Sequence, residues 1–280
     1  MIISPMYLVF DIGGTNMRIA VSSDGKSITR SKIVPTPKEF EDGIQTIRQI
    51  ADELRGTEKI DAVAGGIAGP LDPNKLKLIK SPHVSNWVDK PLKAELEKLF
   101  NCPIYLENDT ALVGLGEATS GAGVGKSIAA YITVSTGVGG VRIVDGKIDR
   151  NSLGFEPGHQ VILPNGAPCN CGGIGHLETL VGGFYLERTY RQKPAEIKDP
   201  KVWNEVARYL GLGLCNTIVH WSPDIVILGG AVMKSVDSQK VNIFLKEYLT
   251  IFPQPPEIVL AKFDADGGLY GALKLIDSQK

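Results

Sequence analysis

The chain has 280 residues, 43% of them hydrophobic, with 30 Lys and Arg against 31 Asp and Glu, enough for one large or two medium domains with a real core. A net charge of -1 supplies no basic field for nucleic acid, and a mean hydropathy of +0.01 excludes a disordered or membrane-embedded chain. The N-terminus lacks the cationic, apolar and small-residue zones of a signal peptide, and four cysteines are too few for a disulfide framework. The expectation is therefore a cytoplasmic protein with no nucleic-acid and no membrane partner.

In chain order, YLVFDIGGTNMRIAVSS reads as strand, glycine turn and strand, with a third strand near residues 27–34. Phe40, Ile44, Ile47, Ala51 and Leu54 follow at helical spacing. Residues 61–68 form a buried strand that ends in GGIAGPLDP. PLKAELEKLF is a helix with proline in its first turn and Leu92, Leu96 and Leu99 on one face. A short strand, PIYLEN, leads to a helix that begins near Asp109–Thr110. Residues 128–135 are a strand, TGVGG a turn, and VRIVDGKI a second strand with a hairpin signal at Asp145–Gly146. A Cys/His loop without periodicity comes next. Then a long helix over about 201–220 carries Val202, Val206, Leu210, Leu214 and Ile218 in one stripe. PDIVILGGAV is another buried strand and turn, and GGLYGALKLI a closing helix. Alternating strands and helices imply an α/β layered fold.

FDIGGTNMRIAV and VSTGVGGVRIVDG are both strand–turn–strand units, and VAGGIAGP and VILGGAVM form a weaker second pair. Either the chain holds two α/β domains of related design facing each other, or glycine turns merely recur as they do in many α/β proteins. SGAGVGKS, at 120–127, is one residue short of a Walker A loop. A helix precedes it and a strand follows, the wrong order for a P-loop, so it reads as a linker. DIGGTN and STGVGG are hairpin turns in which glycines let backbone N–H groups approach an anion. Thr15 and Thr136 add hydroxyls, and Asp11 makes sense beside a phosphate only with Mg2+ between them. Together they favour a nucleotide held between two domains.

HQVILPNGAPCNCGGIGHLE brings His159, Cys169, Cys171 and His176 within eighteen positions, a suitable donor set for tetrahedral Zn2+. The other reading is two buried thiols and two surface histidines. Four protein ligands leave no place for water, so the zinc would be structural. Glu156 and Glu178 remain free to accept hydrogen bonds from a polyhydroxy ligand.

DIGGTN, LENDT, STGVGG, the E-x-G-H run Glu156–Pro157–Gly158–His159 and CNCGGIGHLE together resemble the ROK family of bacterial sugar kinases and related repressors, from about Met6 to Leu275. The resemblance implies an actin/hexokinase-like (ribonuclease H-like) two-domain α/β fold with a cleft between the domains. The first domain would be 1–117 plus about 264–280, and the second 118–263. It implies Asp109 as catalytic base and Asn108, Glu156, His159 and Glu178 as sugar ligands, His159 holding sugar and zinc through its two ring nitrogens. Zinc would be held by Cys169, Cys171, His159 and His176. Asp11, Gly13, Gly14, Thr15 and Asn16 would form the first phosphate loop, Thr136, Gly137, Gly139 and Gly140 the second, and Gly229 and Gly230 would contact adenosine. Departures from the family pattern are Asn16 for a common lysine, Val141 and Ala231 for glycines, and His176 for the third zinc cysteine. None removes a reacting group.

The implied activity is ATP-dependent phosphorylation of a hexose at its primary hydroxyl, with glucose converted to glucose 6-phosphate by an Asp base and Mg-ATP. N-acetylmannosamine, N-acetylglucosamine or fructose are the alternative sugars, and polyphosphate the alternative donor. A non-catalytic sugar-sensing regulator is the rival of another class; DIGGTN begins at residue 11, which leaves no room for a preceding helix-turn-helix domain. Family analogy suggests a homodimer or homotetramer. Asp109 read without the family is either a base or a helix N-cap. His220, Trp221, Cys102 and Cys215 read as packing residues, Asn86 and Trp87 as bordering the sugar, and Asp264 and Asp266 as caps of the final helix.

Overall fold

Residues 5–81, 84–263 and 266–279 are described by a computed structural model. It divides the chain into two compact units, Met1–Ser120 with Ala265–Lys280, and Gly121–Asp264. Among the described residues no helix is long and apolar enough to cross a membrane.

The first unit is built on β1 (Tyr7–Ile12), β2 (Asn16–Ser22), β3 (Arg30–Pro35), β4 (Ala62–Ile67) and β5 (Ile104–Asn108), in the order β3-β2-β1-β4-β5. β1 runs antiparallel to β2 and parallel to β4. Covered on both faces, it is a continuous apolar run in which only Asp11 is partly exposed, the pattern of a central strand. β3 begins three residues later than its apolar pattern suggested. The Asp24 carboxylate accepts the N–H groups of Lys26 and Ser27 at 2.7 and 2.8 Å, an Asx-type turn that occupies the backbone there.

Helix α1 (Phe40–Arg55) buries Phe40, Ile47, Ile50, Ala51 and Leu54. Trp87 does not border a sugar. It is 1% exposed, lies edge-on to Phe40 at 5.4 Å and donates its indole N–H to the Pro37 carbonyl, because apolar area of that size is worth more inside. Its neighbour Asn86 is exposed and donates to Glu39. Helix α2 (Leu92–Phe100) has Pro91 at its N-cap, just before the first turn.

Helix α3 (Asp109–Ser120) continues directly from β5 and packs along the last helix, α8 (Gly267–Asp277). Glycine permits this approach. A Cβ on Gly271 would lie 1.8 Å from the Leu112 carbonyl oxygen, and one on Gly116 would lie 2.4 Å from that of Gly267. Asp266 occupies the α8 N-cap position without a side-chain cap bond, and Asp264 lies outside the described residues.

The second unit repeats the plan. Its strands β6 (Ile128–Val134), β7 (Val138–Val144), β8 (Lys147–Ile148), β9 (Ile225–Gly229) and β10 (Glu257–Leu260) are ordered β8-β7-β6-β9-β10. The pairings are again antiparallel, antiparallel, parallel and parallel, so the repeated glycine hairpins are the visible part of a repeated topology. At the β7–β8 turn Asp145 and Gly146 take φ of 49° and 70°, as a tight hairpin of this sequence requires. Helices α4 (Glu178–Val181), α5 (Gly183–Tyr190), α6 (Pro200–Trp221) and α7 (Ser238–Tyr248) complete the unit. The stretch at 121–127 enters β6 and opens no helix.

Substituting Gly271→Ala should lower the unfolding free energy by about 2–3 kcal/mol, because the clash is with backbone. Urea unfolding checks this, and a loss under about 0.5 kcal/mol would show that α8 does not depend on the close approach.

Candidate functional site

In the first unit two carboxylates are largely withdrawn from solvent, each with part of its surface still exposed. Asp11 is at the end of β1, opposite Arg18 in the β1–β2 register, with Arg18 Nη1 3.7 Å from Asp11 Oδ2. Gly268 lies against it, where a Cβ would be 3.4 Å from the Asp11 carboxyl carbon. Asp109 stands at the strand-to-helix junction. Gly66 makes room for its backbone, since a Cβ there would sit 3.0 Å from Asp109 Cα.

The cap of α3 is Asn108, not Asp109. Asn108 Oδ1 accepts the Ala111 N–H at 3.1 Å while its amide donates to the Gly69 carbonyl at 3.1 Å. Asp109 Oδ1 takes the Thr110 N–H at 2.8 Å. Burial pushes the Asp109 carboxyl up to about 6, against hydrogen bonds from Thr110 and Asn108 that favour the anion. Asp11 is pushed up to about 7, first by burial and then by the charge of Asp109, with Arg18 pulling the other way. Such a group gains from a cation, and Mg2+ takes one or two carboxylates together with phosphate oxygens.

The turn after β1 is pinned from behind. The Gly13 N–H donates to the Asn16 carbonyl at 3.0 Å, the Thr36 N–H to that of Thr15 at 3.0 Å, and the Thr36 hydroxyl to that of Gly13 at 2.7 Å. Gly14, Thr15 and Asn16 are exposed. Neither Gly13 nor Gly14 carries a positive φ, so the missing side chain, not backbone freedom, is what glycine contributes here.

In the second unit His159, Cys169, Cys171 and His176 place one donor atom each within 4.8 Å of all the others. The separations are 3.3 Å between the two Nδ1 atoms, 3.8 Å from Cys169 Sγ to His159 Nδ1, and 3.4 Å from Cys171 Sγ to His176 Nδ1. A tetrahedron built on ordinary Zn–N and Zn–S lengths has edges of about 3.3 Å between nitrogens and about 3.5 Å between nitrogen and sulfur. The residues fit the ion. His159 turns Nδ1 to the cluster and Nε2 towards Glu156, 3.9 Å from Oε2, so its two nitrogens serve different neighbours.

Glu178 opens α4 two residues after His176. One carboxylate oxygen lies 3.9 Å from Cys169 Sγ, and the other accepts the Val138 N–H at 3.0 Å. Gly137 leaves the space this requires, since a Cβ would sit 2.3 Å from Glu178 Oε2. Thr136, in the same turn, is exposed, and Gly139 and Gly140 belong to β7.

Gly230 has φ of 95°, and a Cβ would be 2.3 Å from the Val134 carbonyl oxygen; a Cβ on Gly229 would meet the Tyr131 hydroxyl at 2.5 Å. Gly230 is therefore required by the fold itself, whereas a side chain at Gly229 would have to displace the Tyr131 ring. Cys102 and Cys215 pack beside the two cores, and burial raises both thiols, Cys102 to about 11. His220 is exposed rather than packed, while Trp221 stacks edge-on with Phe155 at 5.0 Å. Two residues escaped the sequence reading. Arg18 had a signal, since it falls opposite Asp11 once the hairpin register is fixed. Tyr185, whose hydroxyl accepts the Asn170 N–H at 2.7 Å, had none.

The sequence model of the ROK family matches residues 7–279. A glucokinase of Halalkalibacterium halodurans is 27% identical over 98% of this chain and 96% of its own length. The crystal structure of a ROK hexokinase from Thermus thermophilus superposes with a TM-score of 0.87 at 31% identity, covering 98% of this chain and 99% of that one. A ROK family glucokinase from Streptomyces griseus, solved with glucose and AMPPNP, gives 0.81 at 25% identity, covering 96% and 98%. Two sheets of matching topology, the buried aspartates, the Cys/His cluster and a match along nearly the whole chain lead to one conclusion: the protein belongs to the ROK family and has its actin/hexokinase-like fold.

Proposed function

We propose that the protein transfers the γ-phosphoryl group of ATP to the primary hydroxyl of a hexose, with glucose as the first substrate to try. The observation that carries this reading is the Asp109 carboxylate, largely withdrawn from solvent, with a raised pKa, and released from capping by Asn108. As the new O–P bond forms, Asp109 accepts the hydroxyl proton, and the bond from the γ-phosphorus to ADP breaks. Glu156, His159 and Glu178 orient the sugar hydroxyls, and Asn108 keeps its amide edge beside the base. The turns at 13–16 and 136–140 hold the phosphates by backbone N–H groups and the Thr15 and Thr136 hydroxyls, and Gly229 and Gly230 are assigned to adenosine. Asp11 would hold Mg2+, which supplies charge neutralisation at the phosphates when bound. His159, Cys169, Cys171 and His176 would hold Zn2+ as a structural ion that fixes the sugar loop. An ADP-release assay over glucose, mannose, fructose and the N-acetylhexosamines, run with ATP and then with polyphosphate, tests the reading. No turnover of any hexose with either donor would overturn it.

Replacing Asp109 by Asn should lower kcat by about three orders of magnitude or more with little change in sugar affinity. The wild-type acid limb of kcat/KM should fall near pH 6, because only the ionised carboxylate accepts a proton. The same substitution should stabilise the ligand-free protein. A carboxyl whose folded pKa is raised to about 6 from 3.8 contributes stability fully present below the unfolded value and lost as pH rises through the folded one. D109N should therefore exceed wild type by about 1–3 kcal/mol at pH 8 and lose that lead near pH 4. Equal stability at pH 8 would contradict the burial of an ionised Asp109.

Purified protein should contain close to one zinc per chain by elemental analysis. C171S should lose the metal, whereas H176C should keep it, since the fourth position accepts either donor. Zinc retained in full by C171S would mean that the cluster is not the binding site.

A further inference from the structure

The metal loop is tied to the second phosphate turn as firmly as to the sugar ligands. Glu178, two residues beyond His176 in the chain, accepts the Val138 N–H at 3.0 Å. The Tyr185 hydroxyl accepts the N–H of Asn170, the residue between the two cysteines. Tyr185 belongs to α5, whose first two N–H groups, from Gly183 and Phe184, donate to the Ser135 and Thr136 carbonyls at 2.7 and 2.9 Å. From a third side, Gly158 of the E-x-G-H run lies so close to the turn that a Cβ would sit 2.2 Å from the Val138 carbonyl oxygen. His176 holds the start of α4 as well, its carbonyl accepting both the Thr179 N–H and hydroxyl. The carbonyls of 135 and 136 are thus turned towards α5 and the Val138 N–H towards Glu178, which fixes the peptide planes of the turn.

We infer that the metal cluster sets the conformation of the turn at 135–140 through Glu178 and Tyr185, so that metal occupancy governs nucleotide affinity and not sugar recognition alone. This rests on the reading of that turn as a phosphate loop. Glu178 and Tyr185 are then positioning residues for the donor. Preorganised N–H groups bind an anion without the entropic cost of ordering the turn, and a loosened support for a ligand set commonly costs ten- to a hundredfold in affinity.

Calorimetry with Mg-AMPPNP, without sugar, compares the zinc-loaded protein, the chelated protein, Y185F and E178A. Amide exchange is followed at 135–140 and at Phe184. The dissociation constant should rise about tenfold on chelation and in E178A, and severalfold in Y185F. The Val138 amide should exchange faster in E178A. A support that merely stabilised the fold would lower the melting temperature and leave nucleotide affinity in place. If the chelated protein unfolds, E178A and Y185F with zinc retained carry the test. Affinity within twofold of wild type in these forms, with nucleotide still protecting 135–140, would overturn the inference while sparing the phosphate-loop reading. Nucleotide that binds the zinc-loaded protein without protecting 135–140 would bring down that reading, and this inference with it.

Discussion

Two carboxylates buried close to one another dominate the design of the first unit. Removing a charge from water costs several kcal/mol unless something replaces the solvent. Here the replacements are hydrogen bonds from Thr110 and Asn108 to Asp109, the positive end of α3, and Arg18 at 3.7 Å from Asp11. The carboxyls respond with raised pKa values, so the site stores a need for positive charge and for a proton. Glycines let the backbone close in: Gly66 behind Asp109, Gly268 against Asp11, and Gly116 with Gly271 where α3 and α8 cross. A Cβ at Gly116 or Gly271 would force α3 and α8 apart.

The two sheets have the same topology, yet their glycine turns are held by different means. In the first unit the turn leans on its own sheet, through Thr36 on the Gly13 and Thr15 carbonyls. In the second it leans on α4, α5 and the Cys/His loop, inserted between β8 and β9, where the first unit has only α1 between β3 and β4. The insertion carries Glu156, Glu178 and all four donors of the cluster.

Much of this was readable beforehand, because the relevant signals are local. Strand–turn–strand units, the apolar stripes of α1 and α6, and the Cys/His spacing depend on neighbours in sequence. What escaped depends on distant partners. Helix α7 has few buried residues, Val241 and Leu245, and its polar surface hid its period. Trp87 looked like a ligand-facing aromatic until Gly43 and Phe40 supplied its pocket. Asn108 and Asp109 are equally good caps by composition, and only the meeting of β5 with α3 selects the amide. Tyr185 sits in a short amphipathic helix where tyrosine packs as often as it bonds. Its partner, the N–H of Asn170, leaves no mark in the sequence.

The donor at position 176 bears on how the Cys/His cluster would hold a cation beside neighbouring acids. A cluster of three thiolates and one imidazole around Zn2+ would carry net charge -1, whereas two thiolates and two imidazoles are neutral. Glu178 has an oxygen 3.9 Å from Cys169 Sγ, and Glu156 approaches His159, so each acid sits where extra negative charge would be felt most. With His176 in place of cysteine that repulsion would be smaller, while Glu178 holds the Val138 N–H. The histidine at this position would thus favour the hydrogen bond that joins Glu178 to the turn at 135–140.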